Sequence, residues 1–145
     1  MSLRIKFKLV TPERTVHEAE VEQVTLPVLD GQVTILPGHR SYIAALKAGE
    51  IMFKENGKEI LLATSGGFIE FNANKLVVLA DTAERAEEID LKRAEEARAR
   101  AEKLKEEKVS LGELEYAKVA AAIEKELARV KVARKHRTKR GLKID

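Results

Sequence analysis

The sequence predicts a β + α protein: an N-terminal antiparallel β-sandwich over residues 1–84, then a C-terminal antiparallel α-helical hairpin over residues 85–145 that ends in a basic tail. Three observations carry this reading. All three prolines and six of the eight glycines lie before residue 86. The first part alternates apolar and polar residues between turn signals, the period of half-buried strands. From Ala83 to Arg140 there is no proline and a single glycine, Gly112, and the strong helix formers Ala, Glu, Lys, Arg and Leu dominate.

The strands come in order. Leu3, Ile5, Phe7 and Leu9 alternate with Arg4, Lys6 and Lys8. Val21 to Leu26 is short and β-branched, and Gly31 to Leu36 reads as a strand closed by Pro37-Gly38. Ile51–Lys54 and Glu59–Ala63 flank Asn56-Gly57, a hairpin signal because both central residues of that turn need positive φ. Phe68–Phe71 and Leu76–Ala80 flank a second turn, Asn72-Ala73-Asn74. Eight to ten short strands of this kind suit a sandwich or flattened barrel. Gly66-Gly67 reads as a tight strand turn or bulge.

Two narrow apolar seams define the helices. Ala94, Ala97, Ala101 and Leu104 recur at helical spacing, as do Tyr116, Ala120, Ile123, Leu127 and Val130. Ser110 with Glu113 three residues on suits a capping box, and the break near Lys108–Gly112 suits an antiparallel hairpin. Alanine buries little apolar area, so at roughly 25 cal/mol per Å2 these seams cohere weakly and the hairpin is expected to be marginal by itself.

Composition excludes several classes. There is no cysteine, so disulfides and thiolate metal sites are absent. No apolar run reaches a membrane span, and the start has no secretory hydrophobic region. The four serines sit in no nucleophile-elbow context, and His17, His39 and His136 are scattered without metal-ligand spacing, so neither a catalytic nor a metal site is expected. No phosphate-binding glycine loop is present.

Charge is uneven. Residues 1–85 carry ten Lys/Arg against 11 Asp/Glu, and residues 86–145 carry 17 against 13. Arg129 to Lys143 contains eight cations and no acid, a segment that attracts something anionic. Arg93 and Arg100 share one helix face, and Lys125 and Arg129 share another. An antiparallel hairpin would let these four converge on one polyanion. The plainer alternative is a solvated helix surface.

Ile35-Leu36-Pro37-Gly38-His39, Ser65-Gly66-Gly67-Phe68, Val78 to Ala83 and the two alanine-rich helices together resemble the epsilon subunit family of F-type ATP synthases, over nearly the whole chain. The resemblance implies a non-catalytic central-stalk (rotor) subunit. Its sandwich would bind the gamma subunit and the membrane c-ring, coupling ion flow to ATP synthesis. Its helices would reach the alpha and beta subunits and restrain ATP hydrolysis when extended. It implies a chain peripheral to the cytoplasmic face of the bacterial cell membrane, not inserted, and not a functional homo-oligomer. No cofactor is required. ATP is implied as a regulatory ligand, through Ile89-Asp90-Leu91-Lys92-Arg93-Ala94, which is similar to a family nucleotide motif. The carried-over positions are Ile89, Asp90, Arg93, Ala94, Arg100, Lys125 and Arg129. Lys125 stands where the family has arginine, which keeps charge and loses the bidentate fork. Gln32 stands near an acidic family position facing the c-ring, and Gln32 and His39 are expected on adjacent turns at one end of the sandwich. The tail Arg134-Lys135-His136-Arg137-Thr138-Lys139-Arg140 suits an acidic segment of beta. Two other classes compete: a nucleic-acid module using the tail, disfavoured by six aromatics and no readout motif, and a free-standing nucleotide sensor.

Overall fold

A computed structural model describes residues 3–107 and 112–139. Eight strands come first: β1 (Ile5–Val10), β2 (Thr15–Val21), β3 (Gln23–Val28), β4 (Gly31–Ile35), β5 (Tyr42–Glu55), β6 (Lys58–Asn72), β7 (Lys75–Ala80) and β8 (Ala83–Arg85). A 3-10 turn over Ala86–Glu88 leads into α1 (Leu91–Glu107) and α2 (Glu113–Lys139). The strands pair in the order β2-β1-β7-β6-β5-β3-β4, with β8 on β6. Every pair is antiparallel except β1 with β7, which run parallel.

Asn56 and Gly57 both take positive φ and close the β5–β6 hairpin, as their sequence requires. Ala73 and Asn74 do the same between β6 and β7. Three expectations change. The segment after Val10 makes two strands, β2 and β3, which part at Glu22. The region before Ile51 is strand, so β5 spans 14 residues and β6 spans 15, much longer than the short strands the turn signals suggest. Gly66-Gly67 makes neither a turn nor a bulge: it lies inside β6 with φ of 130° and 145°, and the pairing register with β5 runs through it unshifted.

That pair is the corner of the sandwich. Before it, Leu62 and Thr64 face inward; after it, Ile69 and Phe71 do, so the inward parity flips. On β5 the flip falls between Leu46 and Ile51, while the β5–β6 register stays unbroken. A Cβ on Gly67 would meet the Leu79 carbonyl oxygen at 2.0 Å, so only glycine lets β7 pass there. The first half of β6 carries β8, and the second half carries β7.

The main core lies between the layers and includes Phe7, Phe53, Phe71, Ile5, Leu9 and Leu62, with the Phe7 and Phe53 rings 5.1 Å apart. A second core joins the halves. Leu61 and Ala63 on the outer face of β6 meet Ala86, Ile89, Leu91, Ala94, Val130, Val132 and Ala133, with Met52 alongside. The hairpin is thus docked on the outer face of the β5–β6 pair. The capping residue Ser110 lies outside the described residues, and so does Arg140 of the tail.

Candidate functional site

Three surfaces bear on function. The first is the outer face of the second half of β6 and its neighbours. Phe68 and Leu79 are paired across β6 and β7, and Ile43 projects from β5 two positions along; they are 62%, 55% and 75% exposed. Because parity flips at the glycine corner, β6 presents Leu61 and Ala63 outward to the hairpin on one side and Phe68 outward to solvent on the other. One outer face of the sandwich is covered, and the other carries an exposed apolar strip of these three side chains, with Glu70 beside Ile43.

The second surface is the hairpin base, where the expected nucleotide positions lie. Ile89 and Ala94 are buried in the second core. Asp90 caps α1: its Oδ1 accepts from the Arg93 backbone N–H at 3.1 Å, and its carbonyl accepts from Ala94 N at 2.9 Å. The Arg93 guanidinium reaches back to the same carboxylate at 3.8 Å but is mostly in solvent. Arg129 is different. Its Nη1 donates to Glu126 Oε2 at 2.7 Å, its Nη2 to Glu84 Oε2 at 3.3 Å, and its Nε lies 2.9 Å from Glu84 Oε1 without hydrogen-bond alignment. Burial works against the charged guanidinium, yet Glu126 and Glu84 outweigh it and hold the group above its ordinary value. Arg100 is exposed and Lys125 half-buried. Antiparallel packing brings the two helices together, but in this docked form no described partner is shared between Arg93 or Arg100 and Lys125 or Arg129. The local contacts are a helix cap on α1 and an ion pair joining α2 to β8.

The third surface is the end of α2. Lys135 Nζ donates to Glu50 Oε1 at 2.7 Å; Lys139 pairs with Glu59, and Arg134 with Glu95. Sequence reasoning misses these acids, since nothing in the spacing of Glu50 or Glu59 marks them as partners of a helix 80 or more residues away. The α2 seam also turns: Ala128, Val130, Val132 and Ala133 are buried, while Leu127 and Tyr116 are 42% and 49% exposed. Lys105 Nζ lies 5.2 Å from the Tyr116 ring centroid instead.

Gln32 and His39 are not neighbours at one end. Gln32 is the second residue of β4, beside the Leu29-Asp30 turn, whereas His39 comes after the opposite end of β4. The His39 ring sits edge-on to Tyr42 and Phe71, with ring centroids 5.8 and 5.7 Å away, and Nδ1 donates to the Arg40 carbonyl at 2.8 Å. Among the described residues no group of His, Asp or Glu is placed to hold a metal, and no helix is long and apolar enough to cross a membrane.

The family model of the ATP synthase delta/epsilon chain β-sandwich domain matches residues 4–86, and that of its long α-helix domain matches residues 87–134. An ATP synthase epsilon chain of Dehalococcoides mccartyi is 44% identical over 134 residues, 92% of this chain and 95% of that one. That of Desulforamulus reducens is 41% identical over 128 residues, 88% and 96% of the two chains. In fold, the chain resembles one in the Euglena gracilis mitochondrial ATP synthase with a TM-score of 0.75 at 23% identity, covering 86% of this chain and 78% of the other. A second likeness, in the central stalk and c-ring of the Tetrahymena thermophila mitochondrial ATP synthase, has a TM-score of 0.59 at 14% identity, covering 94% and 96%. With both halves matched in order and relatives aligned over almost their full length, the chain belongs to the ATP synthase delta/epsilon chain family, and its curated relatives are epsilon chains.

Proposed function

We propose that this chain is the central-stalk rotor subunit of an F-type ATP synthase, without an active site of its own. It couples ion flow through the c-ring to ATP synthesis and restrains ATP hydrolysis through its helices. The single observation that carries the rotor reading is the bare strip of Ile43, Phe68 and Leu79 on the face the hairpin leaves open. Three large apolar side chains on adjacent strands, each more than half exposed, fit a permanent partner, and for this family that partner is the gamma subunit. In this reading the end bearing Leu29 and Gln32 meets the c-ring, because Gln32 stands near the acidic family position expected to face it. The place of work is the cytoplasmic face of a bacterial membrane, reached by assembly and not by insertion.

The regulatory reading is supported by how the hairpin is held. It rests on one small second core and a set of charge pairs, so a partner offering equivalent contacts along gamma, alpha and beta can compete for it. ATP acts in this reading as a ligand of the docked form through Asp90, Arg93, Arg100, Lys125 and Arg129. The test is reconstitution with purified gamma subunit. Wild type should co-elute with gamma, and Phe68→Glu should not while remaining folded. Equal binding by both would refute this face as the gamma surface.

A further inference from the structure

At the joint between sandwich and hairpin, three strands contribute to one polar cluster. His17 on β2 is 13% exposed at its side chain, with its ring 4.7 Å from Phe53 and 6.2 Å from Phe7 by centroid. Its Nε2 lies 3.1 Å from Glu55 Oε1 at the end of β5, and its Nδ1 lies 3.0 Å from Arg85 Nη2 at the end of β8. A guanidinium has only donors, so Nδ1 must accept. The remaining ring proton is then on Nε2 and is donated to Glu55. The arrangement admits one state: a neutral imidazole of fixed tautomer.

A second proton could enter only at Nδ1, where it would set N–H against N–H and cation against cation. The surrounding groups leave Arg85 as the one that must move. Glu55 accepts from Nε2 in either state, and Lys58 is its ladder partner on β6. β1 presents Phe7 and, opposite His17, Leu9, neither charged. Arg85 has a ready alternative, since its Nη1 is already 3.9 Å from Glu87 Oε1 on the 3-10 turn. β8 is three residues long and, among the described residues, pairs only with β6. Its Arg85 grips β2 through His17, and the adjacent Glu84 grips α2 through Arg129.

We infer that His17 is a proton-sensitive clasp: neutral, it holds Arg85 and fixes β8; protonated, it releases Arg85 to Glu87 and loosens both β8 and the docking of α2. The device belongs to the chain itself and stands or falls independently of the gamma assignment.

The test uses the isolated full chain. Nitrogen NMR of the His17 ring at about pH 8 should show Nε2 protonated and Nδ1 bare. Hydrogen-exchange protection of the β8 amides and of residues 128–133, corrected for the intrinsic pH effect, should fall about tenfold by about pH 5.5, where carboxylates stay ionised. His17→Gln, whose amide can accept from Arg85 and donate to Glu55 at any pH, should abolish the fall. Arg85→Gln should show low protection at both pH values, and His136→Gln should keep the wild-type fall. A proton on Nδ1 at high pH, no fall in the wild type, or a fall that persists in His17→Gln would each overturn the clasp.

Discussion

Lys135 Nζ donates to Glu50 Oε1 at 2.7 Å, tying the end of α2 to β5 across 85 residues of chain. One turn on, Lys139 holds Glu59 at the start of β6, and Arg134 holds Glu95 on α1. Three of the cations expected to meet an acidic partner, Arg134, Lys135 and Lys139, are therefore already matched by the chain's own acids. If the helices extend as proposed, these three cations exchange one set of carboxylates for another, so their charge term nearly cancels and the second core decides the balance.

Each of these pairs is partly exposed and worth ~0–1 kcal/mol, so single changes should be nearly silent. Changing Arg134, Lys135 and Lys139 together to Gln should weaken hairpin docking measurably at low salt and leave little further salt dependence. A fluorescence distance between a dye on the sandwich and one on α2 reads this. Wild type should open progressively as salt rises, because exposed pairs are screened. Salt-independent docking in the wild type would rule out the charge pairs as a latch.

Glu59 sets an acidic window for the end of α2. The hydrogen bond from Lys139, and then its charge, hold the Glu59 carboxyl below the usual carboxylate range. A depressed folded-state value contributes stability above the ordinary value, and that contribution is lost as pH falls through the lowered one. The last turn of α2 should therefore loosen on acidification below the ordinary carboxylate range. In Glu59→Gln that turn should be loose throughout and lack this step. Identical acid profiles by hydrogen exchange at low salt would contradict it.

The sandwich should fold alone, but the position of the cut matters. A chain ending after Glu88 keeps β8 on the edge of β6 and should unfold cooperatively. One ending after Thr82 loses the Leu62–Thr64 pairing and leaves an open strand edge. Both uncover Met52, Leu61 and Ala63, so reduced solubility is expected of each and more of the shorter one. Denaturant unfolding with a single transition for the longer chain is the readout. In the full chain, Leu91→Ala should cost about 2–5 kcal/mol, chiefly of hairpin docking, because Leu91 is 2% exposed.

The sequence makes some of this legible and hides the rest for physical reasons. Asn56-Gly57 announces its hairpin because positive φ at two successive residues leaves few alternatives. Gly66-Gly67 announces an irregularity but not its kind, since a corner inside a strand and a turn between strands use the same backbone freedom. Asp90 reads both as a helix-start acid and as a nucleotide position, and only the cap is formed within the chain. The partners Glu84, Glu50 and Glu59 carry no local signal, because an ion pair across 45, 85 or 80 residues is set by docking and not by spacing. The α2 seam departs from its helical spacing at Leu127 because the helix packs on the sheet as well as on α1, which rotates its buried stripe towards Ala128 and Val132.

The nucleotide reading yields the sharpest comparison between neighbours. Lys92 and Arg93 are both exposed on α1 and differ by about 100° around the helix, so they present different faces with equal charge. If ATP is bound at the hairpin base, Arg93→Ala should weaken it several-fold and Lys92→Ala hardly at all. Arg129 is engaged by Glu84 and Glu126, so ATP must displace or share carboxylates to use it; Arg93 and Arg100 need only swing in from solvent. This competition argues for modest affinity. Ligand at ten times its Kd would stabilise the docked form by about 1.4 kcal/mol. That equals one or two surface charge pairs, enough to bias a hairpin held by a small core. Arg129→Ala should abolish binding and also loosen the joint, whereas Arg93→Ala should reduce binding with docking intact, which separates recognition from support. Calorimetry on the full chain at millimolar ATP, with the sandwich–α2 distance monitored in parallel, reads both. No heat in the wild type, or equal losses from Lys92→Ala and Arg93→Ala, would remove the site.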